Sequence, residues 1–218
     1  MMIRAVEGYS HKEGKRVDEG REAAGIATRN GRKKAEAVSL TPEQAARLKA
    51  QPHTPQGRRD ALIMALLLDH GLRVGELAGL LVTDIDLRTC ELRFYREKVD
   101  KEQTHRLTDD ALRAALAYLE RDAPAMGPLL RTSRKDGRLH DVGLSKRAIT
   151  ARVRGLGAAI GVEGLSAHDC RHHWATQAAR SGTPIDRLQD AGGWASPSMP
   201  LRYVEAARIA NEGVRLAS

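Results

Sequence analysis

Aromatic residues are scarce in this chain: one Phe, two Trp and four Tyr make up 3% of its 218 residues. That scarcity argues against recognition of single strands by base stacking, which needs one exposed ring after another. Cysteine is rarer still, with Cys90 and Cys170 alone. Two isolated thiols form no disulfide framework, so a reducing, cytoplasmic compartment is the default expectation. No apolar stretch reaches the roughly 20 residues that span a bilayer, and the opening MMIRAVEGYSHKEGKRVDEG has no apolar core such as a secretory signal requires. What the chain has in excess is positive charge, 36 Lys and Arg against 28 Asp and Glu, a net +8 with a pI near 9.8. Such a surface favours a polyanion. Duplex DNA held through its phosphates fits best, because each phosphate neutralised by Lys or Arg releases counterions.

The pattern along the chain is that of an α+β domain, mainly helical, with a small antiparallel sheet. From about Glu7 to Lys34 the sequence is rich in Gly, Lys, Arg and Glu and shows no sustained periodicity, so 1–38 reads as a flexible lead-in. The folded domain is expected over 39–218. LTPEQAARLKA carries a helix start with Thr41 as N-cap, Pro42 at the first helical position and Gln44 three residues after the cap. RRDALIMALLLDHG is apolar around most of its circumference and belongs in the core. VGELAGLLVTDIDL reads as a short helix and a turn, ELRFY alternates as a strand, and THRLT returns it as a hairpin. Thr108 caps a helix over DDALRAALAYLERDA with Leu112, Ala115, Leu116 and Leu119 on one face. Further helices are expected near 145–160, 168–181, 184–191 and 200–216, broken at Gly161, Gly182 and Gly192, with Pro184 opening one of them.

Four short signatures occur in a fixed order: GLRVGEL with Arg73 and Glu76, HDCR from His168 to Arg171, GGW ending at Trp194, and LRYVE around Tyr203. A tyrosine hydroxyl has a pKa near 10 and is a weak nucleophile unless a base or a positive charge favours its phenolate. Arg73 and Arg171 can each present a planar fork of donors to non-bridging phosphate oxygens and stabilise the charge that develops in a transition state. His168 is suited to proton exchange near pH 7, whereas Trp194 offers only an indole N–H, fit to donate to a phosphate oxygen.

With these signatures, the stretch from Leu40 to Val214 resembles the catalytic domain of the tyrosine recombinases, the integrase family of phages and mobile elements. The interval of nine residues from Trp194 to Tyr203 matches the family's spacing between its His or Trp and the nucleophile. The resemblance implies that Tyr203 attacks a DNA phosphate to give a 3′-phosphotyrosyl link and a free 5′-hydroxyl, with His168 assisting as base and later as acid. It implies no cofactor, no metal ion and no ATP, since the bond energy stays in the ester. It also implies a lysine in the β-hairpin between the two arginine motifs that protonates the leaving oxygen. Lys98 is the first choice, Lys101 the rival and His105 a distant third. Double-stranded DNA is the implied partner, bound by a homo-tetramer that is a monomer when free, with no membrane involved.

Each signature has a plainer reading. Arg73 alone is a surface arginine before a helix, Glu76 a solvent-facing residue, and Tyr203 a half-buried packing residue. HDCRHH invites a metal reading through His168 and His172 at i, i+4, but no second ligand pair accompanies it, and Cys170 points elsewhere on a helix; His172 and His173 read as packing and hydrogen-bonding neighbours. Pro200 stands where the family often has Thr, and suits the first turn of a helix. Only about 38 residues precede the catalytic start, where family members usually carry a separate helical DNA-binding domain, so 1–38 reads as the remnant of one and the chain as a fragment or truncated gene. The competing functions are type IB topoisomerase-like relaxation and an inactive DNA-binding remnant of a mobile element.

Overall fold

A computed structural model of the chain describes residues 38–134 and 136–207. The lead-in expected over 1–38, apart from Val38, and the end of the last expected helix lie outside the described residues. Helix α1, Pro42–Lys49, begins as its sequence dictates: the Thr41 hydroxyl accepts from Gln44 N–H at 3.2 Å and the Gln44 side chain accepts from Thr41 N–H at 2.9 Å. The next helix, α2 (Pro55–Asp69), starts three residues earlier than expected because Thr54 and Pro55 repeat the same cap signal, with the Thr54 hydroxyl accepting from Gly57 N–H at 3.0 Å. Leu62 to Leu68 are all buried, and α2 packs against α1 and two later helices as the centre of the core.

Short helix α3, Val74–Gly79, carries the first arginine motif at its start. The expected turn after it contains a two-residue strand, β1 (Ile85–Asp86), which pairs antiparallel with β2, Glu91–Arg96. Strand β3, Lys101–Arg106, returns along β2 in register from Glu91↔Arg106 to Arg96↔Lys101, giving the sheet order β1-β2-β3. Along β2 the inward positions are Leu92, Phe94 and Arg96. An arginine thus occupies a place where alternation alone calls for an apolar side chain.

Helix α4, Asp109–Leu119, is capped by Thr108 and ends sooner than expected. Its fully buried residues are Ala111, Ala115 and Tyr118; of the expected face Ala115 is buried, and Leu112 and Leu119 pack half-buried against the core. Two alanines let α4 approach α2 closely, and Tyr118 is drawn inward to donate to the Leu129 carbonyl at 2.9 Å. A hairpin that the sequence reading missed follows, β4 (Arg131–Ser133) with β5 (Leu139–Gly143). Neither strand buries a residue, so no alternation marks them.

The remaining helices are α5 (Lys146–Ala159), α6 (Ala167–Arg180), α7 (Ile185–Gly192) and α8 (Ser198–Ala207). α6 lies on α2, and α8 packs on α6 and α7. Pro184 opens α7 as expected, but the break after it falls at Gly193, which adopts the left-handed conformation at φ 58, while Gly192 is still helical. Asp60, fully buried in α2, pairs with its neighbour Arg59 at 2.8 Å and with Arg152 of α5 at 2.5 Å. A buried carboxylate with two guanidinium partners is the arrangement that such burial requires.

Candidate active site

The site forms where the carbonyl end of α7 meets the start of α3, the end of β2 and the middle of α6. Arg73 is the N-cap of α3. Its backbone N–H and its Nη1 donate to the two Glu76 oxygens, each at 2.7 Å, and its Nη2 donates to the Gly193 carbonyl at 3.0 Å. Glu76 does not face solvent: its side chain is 6% exposed, and it orients the arginine three residues before it.

Arg171, buried on α6, donates through its two terminal nitrogens to the Gly71 and Gly192 carbonyls. Its guanidinium carbon lies 4.6 Å from the Trp194 ring centre and 5.7 Å from that of Trp174. Burial, and then the positive charges of Arg73 and Arg96, push the Arg171 guanidinium down to about 9, so it stays charged at neutral pH. Gly71 and Gly192 leave no room for a side chain here, since an added Cβ would lie 2.3 Å from the Trp174 ring and 2.0 Å from the Trp194 ring.

Tyr203 on α8 is 3% exposed. Its ring meets His172 edge-on at 4.7 Å and Trp194 at 5.6 Å, and Trp174 stacks on Trp194 at 6.0 Å. Burial raises the phenol above its ordinary range while Arg171 opposes the shift. The hydroxyl is therefore protonated at neutral pH and needs a base to become a nucleophile. His168 is exposed and lies one ring further out, 6.1 Å from His172. Of the two expected neighbours of HDCR, His172 is thus the imidazole in ring contact with Tyr203, and His173 makes a 3.1 Å hydrogen bond with the Leu40 carbonyl. Asp169 caps α6 with Ser166 and also accepts from Val38 N–H at 3.1 Å. Burial pushes the Cys170 thiol up to about 12, so it stays protonated at neutral pH.

Lys98 lies in the turn between β2 and β3 and lines two cavities of about 510 Å³, one shared with Arg73, Arg93 and Lys146, the other with Gly193 and Trp194. It forms no ion pair or hydrogen bond among the described residues. Lys101 is engaged by Asp190 at 2.8 Å. His105 is half-buried against Phe94 and His70, and burial holds its imidazole down at about 3, so the ring is neutral at pH 7 and no acid for a leaving oxygen.

Two participants escaped the sequence reading. Trp174 follows Arg171 by three residues, one helical turn on, and that spacing was its only signal. Arg96 gave none. It is fully buried, donates from Nη1 to both Glu76 oxygens at 3.0 Å and from Nη2 to the Ala191 carbonyl at 2.6 Å, and bonds Gln103 through Nε. Gln103 in turn donates to the Asp190 carbonyl at 2.6 Å. Four successive carbonyls, 190 to 193, thus accept from Gln103, Arg96, Arg171 and Arg73, the first of them also from Gly193 N–H, which offsets the negative pole at the end of α7.

This architecture recurs in solved recombinases. The XerA recombinase matches with a TM-score of 0.65 at 25% identity over 83% of this chain and 66% of its own. The XerH recombinase bound to its difH substrate in a pre-cleavage complex matches with a TM-score of 0.61 at 21% identity, over 79% of this chain and 52% of its own. The fold is that of tyrosine-recombinase catalytic domains. In sequence, the tyrosine recombinase XerC of Pelobacter propionicus is 34% identical over 149 residues, 67% of this chain and 47% of the relative. XerD of Neisseria meningitidis serogroup B is 29% identical over 182 residues, 80% and 60% respectively. The model of the phage integrase family matches residues 38–208, and the chain belongs to that family. It spans about half to three fifths of the length of these curated relatives. No helix among the described residues is long and apolar enough to cross a membrane.

Proposed function

We propose that this chain is the catalytic part of a site-specific recombinase or integrase that cuts and rejoins double-stranded DNA. The observation that carries the reading is the convergence of Arg73 and Arg171, each with a donor on the last carbonyls of α7, beside the Trp194–Tyr203–His172 ring cluster. In the reaction the Tyr203 oxygen attacks the scissile phosphorus and the bond to the 5′-oxygen breaks. The phenolic proton passes to an imidazole, and the departing 5′-oxygen takes a proton from Lys98. One phosphodiester replaces another, so rejoining is the same step in reverse with the proton transfers exchanged, and no nucleotide hydrolysis enters the balance. Arg73 and Arg171 hold the two non-bridging oxygens, with Trp194 N–H as a further donor. His168 is the proton acceptor of this scheme, and the contact of His172 with Tyr203 makes it the relay or the packing neighbour between them.

Lys98 is preferred to Lys101 because Lys101 is already paired with Asp190, and to His105 because that ring is half-buried and neutral. Residues 39–218 act as the catalytic domain, and a tetramer assembles on DNA from monomers.

The test is a covalent-trapping selection. The full chain and its Tyr203→Phe variant are incubated with a nicked duplex library of randomised sequence in chelator, and protein–DNA adducts are recovered under denaturing conditions and sequenced. Adducts formed by the wild type only, enriched in one sequence, support site-specific tyrosine chemistry. Adducts without sequence enrichment, together with relaxation of supercoiled plasmid, point to topoisomerase-like action. DNA binding with no adduct leaves an inactive DNA-binding remnant.

A further inference from the structure

Arg96 belongs to neither arginine motif, yet it touches the surroundings of both. It sits at the end of β2, two residues before Lys98, with its side chain turned inward and fully buried. One terminal nitrogen bridges the two Glu76 oxygens, and those same oxygens hold the backbone and side chain of Arg73. The other terminal nitrogen holds the Ala191 carbonyl, whose two successors in the chain receive Arg171 and Arg73. Arg73 is therefore fixed at two points, its carboxylate partner and its carbonyl acceptor, and Arg96 braces both. Gly193 shows how closely the brace fits: a Cβ there would lie 2.4 Å from Arg96 Cδ and 2.8 Å from its Nε.

We propose that Arg96 is a positioning residue for the strand-cleavage reaction, acting through Arg73 by holding Glu76 and the α7 carbonyl end in one frame. Its complete burial keeps it from the DNA. Its planar fork matters more than its charge, because a single ammonium cannot reach a carboxylate and a carbonyl on opposite sides. This inference rests on the recombinase reading above.

The experiment uses the duplex recovered in the trapping selection, made in two versions, one with an ordinary scissile phosphodiester and one with a neutral methylphosphonate. The neutral linkage has one fewer anionic oxygen and needs less help from Arg73. Single-turnover adduct formation is followed for the wild type, Arg96→Met and Arg96→Lys. On the phosphodiester, Arg96→Met is expected to slow adduct formation about 100-fold, as loss of one transition-state donor does, with Arg96→Lys little better and DNA affinity nearly unchanged. On the methylphosphonate the loss is expected to shrink to within about 5-fold, since a brace on Arg73 has less to contribute there. An equal loss on both linkages, or no loss on the phosphodiester, overturns the proposal. If the wild type does not cut the neutral linkage, Arg96→Met is added to Arg73→Lys on the phosphodiester. Little further loss then supports action through Arg73, and multiplied losses overturn it. If Arg96→Met does not fold, Arg96→Lys alone carries the comparison, because it keeps the charge and lacks the fork. Wild type that forms no adduct with any library member fails earlier, at the proposed function, and takes this inference with it.

Discussion

Replacing Glu76 by Gln tests the electrostatic frame of the site without changing its shape. The carboxylate is 6% exposed and receives Arg73 N–H and Nη1 at 2.7 Å and Arg96 Nη1 at 3.0 Å on both oxygens. An amide keeps one acceptor oxygen and turns an NH2 toward donors that it cannot satisfy, so one contact with Arg73 and half of the Arg96 bridge become donor against donor. Hydrogen bonds to charged groups contribute about 1.5–3 kcal/mol each. Two of them, partly offset by relaxation, put the loss at about 3–5 kcal/mol, the range seen when one member of a buried ion pair is removed. For a urea slope of about 2 kcal/mol per molar, the unfolding midpoint drops by roughly 2 M. The assay is urea unfolding of both proteins followed by circular dichroism, with slopes compared. The variant also leaves Arg73, Arg96 and Arg171 with no carboxylate among them, so added sulfate is expected to raise its midpoint more than that of the wild type. A midpoint that moves by less than about 0.5 M at unchanged slope would refute the claim that Glu76 holds the arginines together.

Further expectations follow from single contacts. Gly193→Ala puts a side chain at φ 58 and against Arg96 Cδ, so a loss of at least 1–2 kcal/mol is expected from the left-handed backbone alone, together with a fall in adduct formation; an active variant of wild-type stability would contradict the close fit. Burial lowers His70 to about 4 and His105 to about 3. Both pKa values lie below the unfolded value near 6.5, so the unfolded chain takes up protons that the folded one refuses. Stability is therefore full above pH 6.5 and falls with acidification by about 1.4 kcal/mol per pH unit for each histidine, until the folded values are reached; urea midpoints between pH 7.5 and 4.5 check the slope. Buried Cys170, with its thiol at about 12, is expected to resist iodoacetamide in the native state while half-buried Cys90 reacts, and both are expected to label in urea.

How much of this was legible in the sequence depended on whether a feature is local. Helix caps at Thr41, Thr108 and Pro184, the β2–β3 hairpin and the motifs around Arg73, Arg171, Trp194 and Tyr203 are written in neighbouring residues and could be read. The β4–β5 hairpin could not, because strands that bury nothing carry no alternation. The face of α4 was read slightly rotated, since close approach of two helices puts Ala111 and Tyr118 deeper than Leu112 and Leu119 on either side of Ala115. Arg96 was invisible because its partners come from three places, Glu76, Gln103 and Ala191, and only the tertiary fold brings them together. His172 could be read as a packing neighbour of the site, but not its contact with the Tyr203 ring, which depends on how α8 lies across α6.

The acceptors that organise the arginines are main-chain atoms, and no substitution can delete a carbonyl. The last turn of α7 should therefore tolerate broad changes of side chain at Asp190 and Ala191 while being intolerant of length. One inserted residue turns the row of carbonyls by about 100° and advances it by about 1.5 Å, aiming all four away from their donors. In a library of variants at Asp190 and Ala191, substitutions would survive where single-residue insertions and deletions vanish, and the count of residues between Pro184 and Gly193 would be the quantity under selection.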